Sequence, residues 1–143
     1  MATDTKKMWD NMLIAFNSHD VNKIVAFYTD DCIYENLATG TVTHGKKEIT
    51  DYINSLFVDI PDLKMEHKSV FGAGDWVGEE WVLSGTHTNS IRSLPGVAAT
   101  GKIVSVRGAT IYQLREGKIS RQSEYFNLAT LLQQIGLLPM QSK

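Results

Sequence analysis

Apolar spacing changes character at Pro61, and that change constrains the fold more than any motif does. Upstream, apolar residues return every three or four positions; downstream, for about half the chain, strand-like runs are separated by Gly-containing turns. From Thr5 to Phe16, Met8, Trp9, Met12, Leu13 and Phe16 form one helical stripe, with Lys6, Asp10 and Asn11 turned away from it. Asn17-Ser18-His19 breaks that helix, and Asp20 is placed to cap a short one carrying Ile24, Val25, Phe27 and Tyr28. Cys32 to Leu37 reads as a strand, and Gly40 and Gly45 bracket an exposed connection. A third helix runs from Lys46 to Phe57 on the stripe Ile49, Tyr52, Ile53, Leu56 and Phe57.

Beyond Pro61, Leu63 to Phe71 and Trp76 to Thr88 form a hairpin through Ala73-Gly74-Asp75. Val77, Trp81, Leu83, Gly85 and His87 share one parity, so His87 points the same way as Trp81. A loop over 89–102 leads to a strand from Ile103 to Leu114, and Arg115-Glu116-Gly117-Lys118 turns the chain into a last strand ending near Asn127. Leu128, Leu131, Leu132 and Ile135 make a short terminal helix closed by Gly136. Helices and one strand followed by a run of antiparallel strands predict an α+β domain whose helices cover one face of a curved sheet. A mouth between sheet and helices is a natural small-molecule pocket.

The 143 residues suit a single domain over 1–143, and 43% hydrophobic content supplies its core without a disulfide or metal staple. A formal charge of −2, with no basic block longer than Lys6-Lys7 or Lys46-Lys47, argues against a nucleic-acid partner. No run approaches the ~18 apolar residues of a membrane span. A lone Cys32 and a polar start through Met1-Ala2-Thr3-Asp4 make the cytoplasm the expected location. The four histidines lack metal-ligand spacing, so neither a metal nor another cofactor is expected. Gly72-Ala73-Gly74-Asp75-Trp76-Val77-Gly78 has the wrong spacing for a nucleotide loop and reads as a turn, and no Gly-x-Ser-x-Gly elbow is present.

Gly85-Thr86-His87, Ala99-Thr100-Gly101-Lys102, Gly117-Lys118-Ile119, Tyr125-Phe126-Asn127 and Leu131-Leu132-Gln133-Gln134-Ile135-Gly136 together resemble the carboxy-terminal half of SnoaL-like polyketide cyclases. Tyr28-Thr29-Asp30-Asp31-Cys32-Ile33-Tyr34-Glu35-Asn36, then Gly45 and Ile49, is similar to the opening of the wider nuclear-transport-factor-2-like superfamily, which includes ketosteroid isomerases, scytalone dehydratases and limonene epoxide hydrolases. The resemblance implies a cone-shaped, curved antiparallel sheet wrapped around N-terminal helices, a short C-terminal helix, and a homodimer paired through the outer sheet face. Apolar outward positions such as Ile111 and Val82 agree with such pairing.

It also implies a base, and here the sequence departs from the family. The cyclases' base, an Asp opening the last helix, corresponds to Asn127; the isomerases' carboxylate, at the end of the first strand, corresponds to Asn36. An amide takes no proton from carbon near neutral pH, although both can hydrogen-bond a carbonyl, an enolate oxygen or a water. His87 is therefore the first candidate base, by its intrinsic pKa and its parity with Trp81. Glu124 ranks second, because alternation places it opposite Tyr125 and Asn127. Tyr34, sharing a face with Asn36, and Tyr125 are candidate phenol donors to an oxyanion. Trp81, Tyr52, Tyr125 and Glu124 are the expected ligand contacts.

Each residue has a plainer role to weigh. His87 is as readily a hydrogen-bonded wall residue, Trp81 and Tyr34 are packing residues, and Asn127 precedes a helix as an N-cap. The implied chemistry is cofactor-free proton abstraction next to a carbonyl on a small apolar cyclic or polyketide-like molecule, with ring closure or double-bond migration. The alternatives are a non-catalytic binding protein for an apolar ligand and an epoxide hydrolase-like enzyme, the latter needing a carboxylate to activate water. A buried acid or His beside an Asn or Tyr distinguishes an enzyme from a binding protein.

Overall fold

The computed structural model describes residues 3–88, 96 and 98–139. Its elements run α1 (Thr3–Ser18), α2 (Val21–Val25), β1 (Tyr28–Asn36), β2 (Thr41–His44), α3 (Gly45–Asp59), β3 (Lys64–Ala73), β4 (Trp76–Thr86), β5 (Ile103–Arg115), β6 (Lys118–Phe126) and α4 (Leu128–Gln134). The six strands form one sheet in the order β2-β1-β6-β5-β4-β3. Helices α1 and α3 cover its concave face, which makes this the α+β architecture expected from the change at Pro61.

Three details differ from the sequence reading. The sheet is mixed, because β1 runs parallel to β6 while every other neighbour is antiparallel. Strands consecutive in the chain make the antiparallel pairs, whereas the chain between β1 and β6 passes through α3 and four strands before returning alongside. β1 also begins at Tyr28, four residues early: Ile119 N–H donates to the Phe27 carbonyl and Tyr28 pairs with Ile119. Local spacing places Phe27 and Tyr28 on the preceding helix, and pairing with Ile119 far along the chain overrides it. The Gly40–Gly45 connection contains β2, whose four mostly exposed residues pair with Ile33 to Asn36. Too short and polar to show a period, it is visible only through its partner.

Capping follows the local chemistry. Asp20 accepts from Lys23 N–H at 3.2 Å and opens α2. Glu48 reaches back to His44 N–H at 3.3 Å and opens α3. The main core joins Trp9 and Ala15 of α1, Ile49 and Ile53 of α3, and Val77, Tyr112 and Ile119 of the sheet. The rings of Trp9 and Tyr112 meet edge to face with centroids 5.0 Å apart. A smaller cluster of Ile60, Leu63, Val104 and Ile135 closes the other end.

Two bulges decide which side chains look inward. On β3, His67 faces Trp81 and Ser69 faces Glu80, so Lys68 is an extra residue. On β6, Ile119 faces Leu114 and Arg121 faces Gln113, so Ser120 is extra there. Inward parity on β6 therefore switches from Ile119 to Gln122, Glu124 and Phe126. No helix among the described residues is long and apolar enough to cross a membrane.

Candidate active site

A cavity of about 150 Å³ lies between α1, α3 and the concave face of the sheet. Apolar groups from Met12, Ile53, Leu56, Val106 and Leu131 make up much of its wall. Pairing registers set its polar groups in rows. Glu79 on β4 pairs with Thr110 on β5, which pairs with Glu124 on β6, which pairs with Asn36 on β1. In the adjacent row Tyr112, Gln122 and Tyr34 follow the same strands. All seven side chains line the cavity.

Glu124 is the hub of one end. Tyr34 Oη donates to its Oε2, and Asn36 Nδ2 donates to the same oxygen at 3.3 Å. Among the described residues no hydrogen bond reaches Oε1. Asn36 is itself fixed, because its Oδ1 accepts the backbone N–H groups of Ala38 and Thr39 at 3.1 and 3.2 Å. The Tyr52 ring lies 5.2 Å from that of Tyr34. Burial of its carboxyl lifts the Glu124 pKa to about 7, and the Tyr34 hydroxyl partly opposes the rise. The hydroxyls of Tyr34 and Tyr52 are driven upward, first by burial and then by the Glu124 charge, so they keep their protons and act as donors.

A second carboxylate occupies the other end. Glu79 is 2% exposed, with His67 Nε2 3.2 Å from its Oε2 and Tyr112 Oη donating to Oε1 at 3.3 Å. Burial raises Glu79 to about 7 and lowers His67. Between the two ends, Trp81 Nε1 donates to Thr110 Oγ1 at 2.8 Å, and Tyr28 Oη donates to Gln122 Oε1 at 2.6 Å. The indole has room because Gly108 lies beneath it: a Cβ there would come within 2.4 Å of Trp81 Cζ2 and 2.8 Å of the Tyr125 carbonyl. Among the described residues no Lys or Arg lines the cavity, and no group of three or more His, Cys, Asp or Glu could hold a metal ion.

The residues singled out in the sequence separate into two sets. Tyr34, Asn36, Tyr52, Trp81 and Glu124 converge on the cavity. Tyr125 is 49% exposed on the outer face, and Asn127 is exposed with its Oδ1 accepting from Thr130 N–H at 3.3 Å as the cap of α4. Both follow from the Ser120 bulge, which reverses the parity that had set Glu124 outward and Tyr125 inward. His87 is fully buried beyond the end of β4 but does not line the cavity; its Nδ1 lies 3.0 Å from Thr100 Oγ1, and its backbone N–H and carbonyl bond Lys102 and Gly101. β4 ends at Thr86, so the alternation that tied His87 to Trp81 does not extend to it. Most of the 89–102 loop lies outside the described residues. Glu79, His67, Tyr112 and Gln122 were not anticipated, although Glu79 has the parity of Val77 and Trp81.

A family model described as SnoaL-like polyketide cyclase matches residues 4–135. The chain is 26% identical over 118 residues to Cyclase aurE of Calcarisporium arbuscula, covering 81% of this chain and 82% of that one. Among solved structures it superposes on AclR from Streptomyces galilaeus with a TM-score of 0.84 at 22% identity, over 100% of this chain and 91% of that one. A Catenulispora acidiphila protein with a ketosteroid isomerase-like fold, solved with trimethylamine, superposes with a TM-score of 0.74 at 22% identity over 94% and 95% of the two chains. The structural likenesses establish the fold.

Proposed function

The chain belongs to the SnoaL-like polyketide cyclase family, and from that premise we propose that it is a cofactor-independent enzyme that removes a proton next to a carbonyl on a small, largely apolar cyclic or polyketide-like molecule. One observation carries the reading: Glu124 lines the cavity with Oε2 held by Tyr34 and Asn36, while no hydrogen bond from the described residues reaches Oε1. The two amides at the family's base positions do not remove the base, because a carboxylate from β6 reaches the same cavity as Asn36. With its pKa near 7, Glu124 is ionised in a large fraction of molecules at neutral pH and basic enough to take a proton from an acidified C–H. Tyr34 and Asn36 position the carboxylate. Tyr52, whose phenol keeps its proton, packs beside Tyr34 at the same end of the cavity. A buried acid beside an Asn and a Tyr favours an enzyme over a passive carrier, and an apolar cavity of about 150 Å³ takes at least one six-membered ring.

The test uses 2-tetralone in D₂O, with exchange at the carbon next to the carbonyl followed by NMR. Glu124→Gln should slow the enzyme-dependent exchange by about 10²–10⁴, and Tyr34→Phe by a smaller factor. Exchange in the wild type no faster than in buffer, or unchanged in Glu124→Gln, refutes the reading. The same carboxylate and its two donors also suit activation of a water against an epoxide. Styrene oxide, converted to a diol by the wild type while 2-tetralone is left untouched, would favour that hydrolase.

A further inference from the structure

We infer that Glu79, held by His67 and Tyr112, is a second catalytic residue of the same cavity: the acid that gives a proton to the substrate's oxygen while Glu124 takes one from its carbon. The inference rests on the reading of Glu124 as base. Its foundation is placement. Glu79, Thr110 and Glu124 occupy consecutive positions of one cross-strand row, so the two carboxylate-bearing strands are two sheet spacings apart, about 10 Å at the backbone. Thr110, between them, lies on the cavity wall with its hydroxyl already taken by the Trp81 indole. A ring lying over Thr110 has one edge toward Glu124 and the other toward Glu79.

A carboxyl 2% exposed, with no Lys or Arg among the described residues of the cavity wall, is costly to keep as a permanent anion. What surrounds it suits a proton that comes and goes. His67 Nε2, 3.2 Å from Oε2, accepts that proton when Glu79 is neutral, and Tyr112 donates to Oε1 in either state. The other ionisable groups acting there are Tyr28 on β1 and Glu124 on β6, with Asp10 of α1 acting on His67. The negative charge of Glu124 raises Glu79 further, so ionising the base keeps the acid protonated. That is the state in which proton abstraction begins.

Isomerisation of 3-cyclohex-en-1-one to the conjugated enone illustrates the step. The C2–H bond breaks and its proton goes to Glu124; the electron pair forms the C1–C2 double bond while the carbonyl π pair moves to oxygen, which takes the Glu79 proton. Glu124 then returns its proton to C4, where the C3–C4 π pair forms the new C–H bond; the C1–C2 pair moves to C2–C3, and the O–H pair re-forms the carbonyl as that proton returns to Glu79. No other reactant is needed.

The experiment follows this reaction by ultraviolet absorbance across pH 5–9, alongside ¹³C NMR of protein labelled at the Glu carboxyls with phenol added as a mimic of the dienol. The wild type should give a bell-shaped profile centred near neutrality. Glu79→Gln should lose about 10²-fold or more in kcat together with the alkaline limb, and His67→Gln should move that limb while retaining more of the rate. Phenol should perturb the resonance that Glu79→Gln removes. A Glu79→Gln protein that folds and keeps both rate and alkaline limb, or a Glu79 resonance indifferent to phenol, overturns this role and leaves Glu124 as a lone base. No wild-type turnover, or full activity in Glu124→Gln, overturns the base reading and this inference with it.

Discussion

Glu79 loses nearly all its hydration on folding, and its carboxyl responds by holding its proton to about pH 7, against about 4.5 in an exposed chain. Between those values the folded molecule binds more protons than the unfolded one, so stability falls as pH rises through the window, and the loss is complete above it. Glu124 works in the same direction. Glu79→Gln keeps the shape and removes the charge. It should therefore be more stable than the wild type at pH 8 by roughly 2–3 kcal/mol, with the advantage gone near pH 4.5. Thermal melts of the two proteins at pH 4.5, 6 and 8 check this; an advantage independent of pH would mean that Glu79 is not the group responsible. At this scale the sequence was only partly legible. Tyr34 and Asn36 could be placed because β1 is regular and their parity is unambiguous. Glu79 had the right parity but no neighbour in sequence marking it as buried, since His67 and Tyr112 reach it from other strands.

At the scale of elements, one inserted residue outweighs the alternation rule. Counting inward from Ile119 in steps of two gives Arg121, Ser123 and Tyr125; with Ser120 bulged, Gln122, Glu124 and Phe126 face inward instead. Arg121 and Ser123 then meet Glu35 on the outer surface, which satisfies all three polar groups there. A bulge has no reliable signature in a strand of mixed polarity, so simple alternation puts the last strand's side chains on the wrong faces, while the helices and hairpins follow from local spacing. Asn127 shows the consequence. Beyond the reoriented strand its side chain caps α4, and Asp would cap equally well while suiting the helix dipole. Asn127→Asp should keep or slightly raise the melting temperature and leave 2-tetralone exchange unchanged, whereas Asn127→Ala should cost about 0.5–2 kcal/mol. Increased exchange in Asn127→Asp would return this position to the catalytic machinery.

On the molecule as a whole, the face away from the helices is more apolar than a solvated sheet surface needs. Registers align Phe71, Gly78, Ile111 and Ser123 across four strands, with Trp76 and Tyr125 in the rows on either side. Phe71 is 61% exposed, Trp76 51%, Ile111 47% and Tyr125 49%. The Phe71 ring lies over Gly78, where a Cβ would come within 2.6 Å of it, so a low apolar platform takes the place of a side chain at the centre. Charged groups at its margin are already paired, Arg107 with Glu80 and Arg121 with Glu35, and place no lone charge in the way of apolar contact. We propose that a second copy of the chain covers this surface. A twofold pairing sets like patch on like patch, which a self-complementary apolar strip permits and a strongly charged one would not. Light scattering on a size-exclusion column should give about twice 16.0 kDa. Phe71→Glu with Ile111→Glu puts four carboxylates into the twofold interface and should yield a monomer. Neither residue lines the cavity, so that monomer should keep its 2-tetralone exchange if each chain holds a complete site. A wild type already monomeric at micromolar concentration would contradict the pairing, and a double variant that stays dimeric would place the interface on another surface.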